Sequence, residues 1–179
     1  MSETDDDRLS RIVEHAADIR KFEIDLFWKR SLFFWGFLSA AFIAYGALSS
    51  QKADIDIIFA IACFGVICSL VWTLVNRGSK YWYEAWEQKL LDIEAEAFGR
   101  ELFSRIEPIK ERAWWGAARY SVSKLAIALS DFVVLIWLLL AVKASPVVQP
   151  GATAWSTVIL AVSTLYVVAL LVFGRSKKR

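Results

Sequence analysis

"IDIIFAIACFGVICSLVWTLVNRGSKYWYEAWE", residues Ile55 to Glu87, decides how this chain folds. From Ile55 to Val75 it carries a single charge, Asp56, at its very start, and at 1.5 Å per helical residue this stretch crosses about 30 Å of hydrocarbon. The composition then changes within four residues. Asn76, Arg77, Gly78 and Ser79 lead into Lys80, Tyr81, Trp82, Tyr83 and Trp86. Basic residues that reach lipid phosphates, followed by amphipathic rings at headgroup depth, mark a helix leaving a membrane. Gly78-Ser79 either bends one continuous helix or ends it, with Ser79 capping the next.

Three further windows have the same character, Ser31–Ser50, Ser121–Val142 and Thr153–Gly174, in a chain of 179 residues that is 57% hydrophobic with a mean hydropathy of +0.43. The expected fold is therefore all-α: an integral membrane protein with four transmembrane helices, plus a cytoplasmic helical hairpin and an N-terminal amphipathic helix. The expected organisation is an amphipathic N-terminal helix at 1–28, spans one and two within 29–75, the hairpin at 76–119, spans three and four within 120–174, and a basic tail at 175–179. The acidic start of the chain lacks the basic region and cleavage site of a signal peptide, so no processing is expected. Of 21 Lys and Arg, 19 lie before the first span, between Arg77 and Lys124, or after Gly174, leaving Lys52 and Lys143 for the short loops. Translocated loops exclude basic residues, so both termini are expected in the cytoplasm.

The N-terminal segment places Leu9, Ile12, Ala16, Ile19 and Leu26 near heptad spacing, either to pack on the protein's own cytosolic helix or to lie on the membrane surface. Beyond Trp82, apolar residues recur every three or four positions through Trp86, Leu90, Leu91, Phe98 and Leu102 on a helix too charged to be transmembrane. Glu107-Pro108 reads as an elbow, after which a second helix returns to the membrane at Trp114, Trp115 and Tyr120. Arg77, Lys80, Tyr81, Trp82, Trp86, Trp114 and Trp115 are the expected interface anchors. Leu91, Phe98 and Leu102 are too many apolar residues for one hairpin to cover, which makes them candidates for subunit association.

Asp131 lies near the middle of the third span by count, where a carboxylate is expensive and must face protein or water. Ser39, Ser163 and Thr164 fall at similar depth, and Lys124 lies two turns earlier on the same face. Together they form a candidate proton or cation site, with a hydrogen-bonded packing residue as the alternative. Small residues recur at Gly36, Ala40 and Ala44, and at Ala62, Gly65, Ser69 and Thr73, spacing that lets helices approach closely. Gly36, Ala40 and Gly65 are thus oligomerisation candidates, although the second stripe could instead line an aqueous path. His15, the one histidine, has no companion at ligand spacing, and Cys63 and Cys68 fall on different faces of one span. No nucleophile elbow, phosphate loop or metal spacing occurs, so neither enzymatic activity nor a cofactor or metal is expected. The basic residues sort by membrane side rather than forming a patch, which argues against nucleic acid as a partner.

"FEIDLFWKRSLFFWGF" (Phe22 to Phe37) and "NRGSKYWYEAWE" (Asn76 to Glu87) together resemble the RipA family of octameric bacterial membrane proteins. The resemblance implies a homo-oligomer of eight subunits in the bacterial inner membrane, with a link to envelope adaptation and no catalytic residue to carry over. The expected function is a non-enzymatic scaffold or recruiting platform, with membrane lipids around it and a cytoplasmic protein partner on its helical collar. A gated proton- or cation-conducting oligomer using Asp131 is the alternative.

Overall fold

The computed structural model describes residues 5–98, 120–148 and 153–174, and among these every regular element is a helix. They are α1 (Asp5–Ser50), α2 (Ile55–Phe98), α3 (Val122–Ala144) and α4 (Ala154–Phe173). All four are long and apolar enough to cross a membrane. With 46 and 44 residues, α1 and α2 run for about 69 and 66 Å, more than twice the hydrocarbon thickness.

α1 and α2 are antiparallel, so the surplus of both projects on the side away from their connecting turn. α2 passes through Gly78 and Ser79 as one helix, and α1 passes from its charged N-terminal half into its apolar half without a break. The expected segment boundaries at residues 28 and 75 therefore fall inside continuous helices. Backbone hydrogen bonding is satisfied helically on both sides of the membrane boundary, so a change of solvent does not require a change of structure. The expected elbow at Glu107-Pro108 and the return arm carrying Trp114 and Trp115 lie outside the described residues. Within them, the projecting part of α2 pairs with that of α1 as a two-helix stalk: Arg20 reaches Glu87 at 3.5 Å and the Tyr83 hydroxyl at 3.4 Å, and Ala16 and Leu90 are buried.

The turn between α1 and α2 is four residues, Gln51 to Asp54, which close one helix and open the next. Lys52 donates its N–H to Ser49 O and Ala53 to Leu48 O, the paired bonds of a Schellman end, with Lys52 in the left-handed region at φ 52° where glycine is usual. Asp54 then starts α2: its carbonyl accepts from Ile57 and Ile58, and its carboxylate from Asp56 N–H at 3.0 Å. Thr153 caps α4 by accepting from Trp155 N–H at 3.1 Å, and the Asp56 carboxylate accepts from the hydroxyls of Thr153 and Ser156. This carboxylate at the α4 N-terminus is favoured by the helix dipole as well.

α2 is the axis of the bundle. α1, α3 and α4 each pack their backbones closely against it, while α3 and α4 face each other across an apolar cavity lined by Leu138, Val142, Leu160 and Thr164. The key contact is a notch and a plug. Trp137 on α3 is completely buried, lying across Gly65 of α2, stacked on Phe42 at 4.3 Å and meeting Tyr45 edge-on at 6.1 Å. A Cβ on Gly65 would stand 2.1 Å from the indole, so no side chain fits. The fit leaves the Trp137 indole N–H buried without an acceptor.

Gly65→Ala should destabilise the subunit by about 1–3 kcal/mol through overpacking. Gly78→Ala meets open space and should instead stabilise it by about 0.8–1.0 kcal/mol through helix propensity. Unfolding midpoints of both variants in mixed micelles check the pair. Equal shifts of the same sign would mean that Trp137 does not occupy the notch.

Candidate functional site

Where α1 and α2 leave the hydrocarbon, four side chains on three helices form a buried hydrogen-bond chain. Trp72 Nε1 donates to Ser31 Oγ at 3.3 Å, and Ser31 Oγ donates to Asn76 Oδ1 at 3.4 Å. Asn76 Nδ2 donates to Ser130 Oγ at 3.4 Å, which donates in turn to Ile127 O at 2.8 Å. Asn76 is the centre because an amide alone among these groups accepts and donates at opposite ends, so it can join α1 to α3. Measured from the α1–α2 turn, Ser31 and Asn76 both lie about 30 Å along their helices, one hydrocarbon thickness away. Thr73, one turn nearer the turn end, has a buried hydroxyl without a partner.

Charges flank this layer at the same height. Arg77 pairs with Asp131 at 2.8 Å across the α2–α3 seam, their side chains 56% and 41% exposed. Arg30 donates to Ser79 Oγ at 3.1 Å across the α1–α2 seam. Farther along the stalk, Lys80 pairs with Glu84 at 2.9 Å and Lys89 lies over the Trp86 ring at 4.8 Å. The chain of hydroxyls and amide is neutral, suited to fixing helix register rather than to moving protons near neutral pH. Among the described residues no three His, Cys, Asp or Glu side chains gather as a metal site.

A sequence of this architecture has relatives. Residues 11–146 match the octameric membrane protein family (8xMP). The chain belongs to that family. It is thus a membrane protein of an oligomeric family, and the match takes in α1, α2 and α3 but ends before α4. No curated protein and no solved structure matches the chain.

Set in this 8xMP subunit, the residues singled out by sequence separate into three groups. Asp131 is not without an ionic partner, because Arg77 pairs with it, and its α3 neighbour Ser130 is level with Asn76, about 30 Å from the α1–α2 turn. α3 begins beyond that level, with Val122 and Ser123 beside Lys80 and Tyr83, so a count along α3 alone does not give the height of Asp131 on α2. The companions expected beside it are elsewhere: Ser39 is exposed on α1, Thr164 is exposed on α4, Ser163 faces the Cys63 thiol on α2, and Lys124 is exposed in the first turn of α3. The interface anchors Tyr81 and Trp82 are exposed and meet edge to face at 5.6 Å. Gly65 is filled by Trp137 of its own chain, whereas Gly36 and Ala40 are exposed and a Cβ on Gly36 would meet nothing within 4 Å. Leu91 is half-buried. The Phe98 side chain and Leu102 lie outside the described residues.

Reasoning from sequence did not find Ser31, Trp72 and Ser130, or the interior place of Asn76. Their signal was present: four hydrogen-bonding side chains at one depth on three spans.

Because both partners are half-exposed, breaking the Arg77–Asp131 pair should cost no more than about 1 kcal/mol. Asp131→Asn and Arg77→Gln should each lower the unfolding midpoint slightly, and the double variant should lose little more than either alone. Strict additivity in this double-mutant cycle would mean that the two side chains do not interact.

Proposed function

We propose that the chain assembles as a ring of eight in the bacterial inner membrane, and that its stalks stand together in the cytoplasm as a non-enzymatic collar that scaffolds or recruits a protein partner. The observation that carries this reading is the continuity of α1 and α2: two helices crossing the boundary as one pair make a rigid stalk about 35 Å long, so a protein docked on the collar and the arrangement of spans are mechanically one body. The subunit also leaves the small-residue face of α1, Gly36 and Ala40, unfilled from within, a face suited to close approach by a neighbouring helix. The finer RipA assignment and its link to envelope adaptation belong to the same proposal. Eight axial helices about 9.5 Å apart would enclose an opening near 14 Å, which must be filled by lipid or side chains, or closed by the collar.

The second reading is a gated proton- or cation-conducting ring, and the half-exposed Arg77–Asp131 pair at the boundary favours it. Ion flux in liposomes that Asp131→Asn abolishes while the oligomer survives would put it ahead of the scaffold.

Gly36→Leu should loosen the oligomer while leaving the subunit folded, since a Cβ there meets nothing within 4 Å in one chain and the position is exposed. Native mass spectrometry should show eight subunits for the unaltered chain and smaller species for the variant, with helicity unchanged by circular dichroism. An intact octamer that resists dissociation equally well would remove the α1 face from the ring contact.

Orientation has its own check. A cysteine at Ser176 should react with an impermeant maleimide only after the cytoplasmic face is opened, and one at Gln51 should react from outside. The reverse pattern would place the stalks on the outer face.

A further inference from the structure

Along the α1–α2 seam, on the side that no α3 residue lines, a groove of about 780 Å³ runs from the hydrocarbon into the stalk. Its volume is in the range of small-molecule sites. Its chemistry changes along its length. At the hydrocarbon end the walls are Phe33, Phe34 and Val75; next come Lys29 and Arg30; beyond them lie Trp82, Trp86 and, farthest out on α1, Glu23. The height of the two cations is fixed by the hydrogen-bond layer, because Arg30 precedes Ser31, whose hydroxyl is bonded to Asn76. Lys29 and Arg30 therefore stand where hydrocarbon gives way to headgroups.

The two cations retain capacity for an anion. Arg30 uses one of five guanidinium N–H groups on Ser79 at 3.1 Å, a bond that orients it toward the seam. Lys29 pairs at 2.6 Å with Asp25, one turn farther out and more than half exposed. A solvated pair of that kind contributes little and yields readily to a better anion. Gly78 forms part of the floor, and a Cβ there would meet nothing within 4 Å, so the groove is kept open by the absence of a side chain.

We propose that this groove binds one anionic phospholipid from the leaflet on the stalk side, its phosphate held between Lys29 and Arg30 and an acyl chain laid on Phe33, Phe34 and Val75. Charge selects the occupant: two adjacent cations at phosphate depth favour a net negative headgroup over a zwitterionic one. Apolar walls on one side of those cations and an indole-lined space on the other match the sequence of chain, phosphate and polar headgroup in a lipid. Glu23, two turns beyond Arg30, repels a second anion and keeps the phosphate at the membrane end. A soluble phosphate compound meets the cations but leaves the apolar walls empty.

The test uses the full chain in detergent, titrated with phosphatidylglycerol or phosphatidylcholine of identical acyl chains, with bound lipid counted by native mass spectrometry. Phosphatidylglycerol should bind at about 25-fold lower concentration, and Lys29→Gln with Arg30→Gln should erase that preference, each cation being worth about fivefold. Gly78→Phe, at a position where a Cβ meets nothing within 4 Å, puts a ring into the groove and should reduce binding of both lipids at unchanged oligomer mass, which keeps the test valid where the charge variants fold poorly. Glycerol 3-phosphate should not compete. Equal affinity for the two lipids, a preference that survives both sets of variants, competition by glycerol 3-phosphate, or dissociation of the oligomer by Gly78→Phe would each overturn the proposal, the last by making the groove a contact between subunits.

Discussion

Inside hydrocarbon no hydrophobic force gathers helices that are already apolar on every side, so association has to come from shape and from hydrogen bonds. In this subunit both are concentrated on α2. Gly65 supplies the shape, a notch that Trp137 fills completely, and Asn76 supplies the hydrogen bonds, joining Ser31 on α1 to Ser130 on α3. The two devices are about three turns apart on the same helix. A notch alone would leave α3 free to pivot about the indole, and a hydrogen-bond layer alone would leave the outer half of the bundle unfixed. Together they set the position and tilt of α3 relative to α1 and α2.

The same two helices meet under different physics on either side of that layer. Toward the turn, the α1–α2 seam is packed with Leu38, Ala41, Ala62 and Trp72. Beyond the layer it buries Ala16 and Leu90 and is bridged by Arg30 to Ser79 and Arg20 to Glu87 and Tyr83, polar contacts that water screens and that contribute little individually. What holds the stalk straight is the preceding span: α1 and α2 enter it already helical and already in register, so the nucleation penalty of a helix pair is met inside the membrane. A stalk of modest intrinsic stability is thus kept ordered by an anchor that cannot fray.

The four spans were legible in the sequence because hydrocarbon imposes length and composition together. Predicted windows and observed helices agree within two residues at the ends of α3 and α4. The contacts were not equally legible. Gly36 and Gly65 sit in similar small-residue patterns, yet one faces open space and the other a tryptophan from a helix some seventy residues later in the chain. Periodicity identifies a face and is silent about its partner. Depth is a related case: a count along α3 assumes that every span starts at the same height, whereas Val122 begins beside Lys80 and Tyr83, beyond the level of Asn76. Continuity through Gly78 was undecidable locally, since glycine permits either outcome and the pairing with α1 selects one.

α4 stands apart from this scheme. Its close backbone packing is with α2, it buries only Ser156, and it is tied by hydrogen bonds to Asp56 at its N-terminal end, while Phe173 at its other end is exposed. The 8xMP match stops at residue 146, before α4 begins. The two facts have one physical reading. The notch, the amide and the stalk all belong to α1, α2 and α3, and α4 is fastened chiefly at its N-terminal end, through Asp56. A helix held in that way can adjust its tilt to whatever neighbours it without disturbing the Trp137 plug or the Asn76 layer. Its long apolar surface, exposed at Val162, Leu165 and Val172, is left to meet lipid or an adjoining subunit.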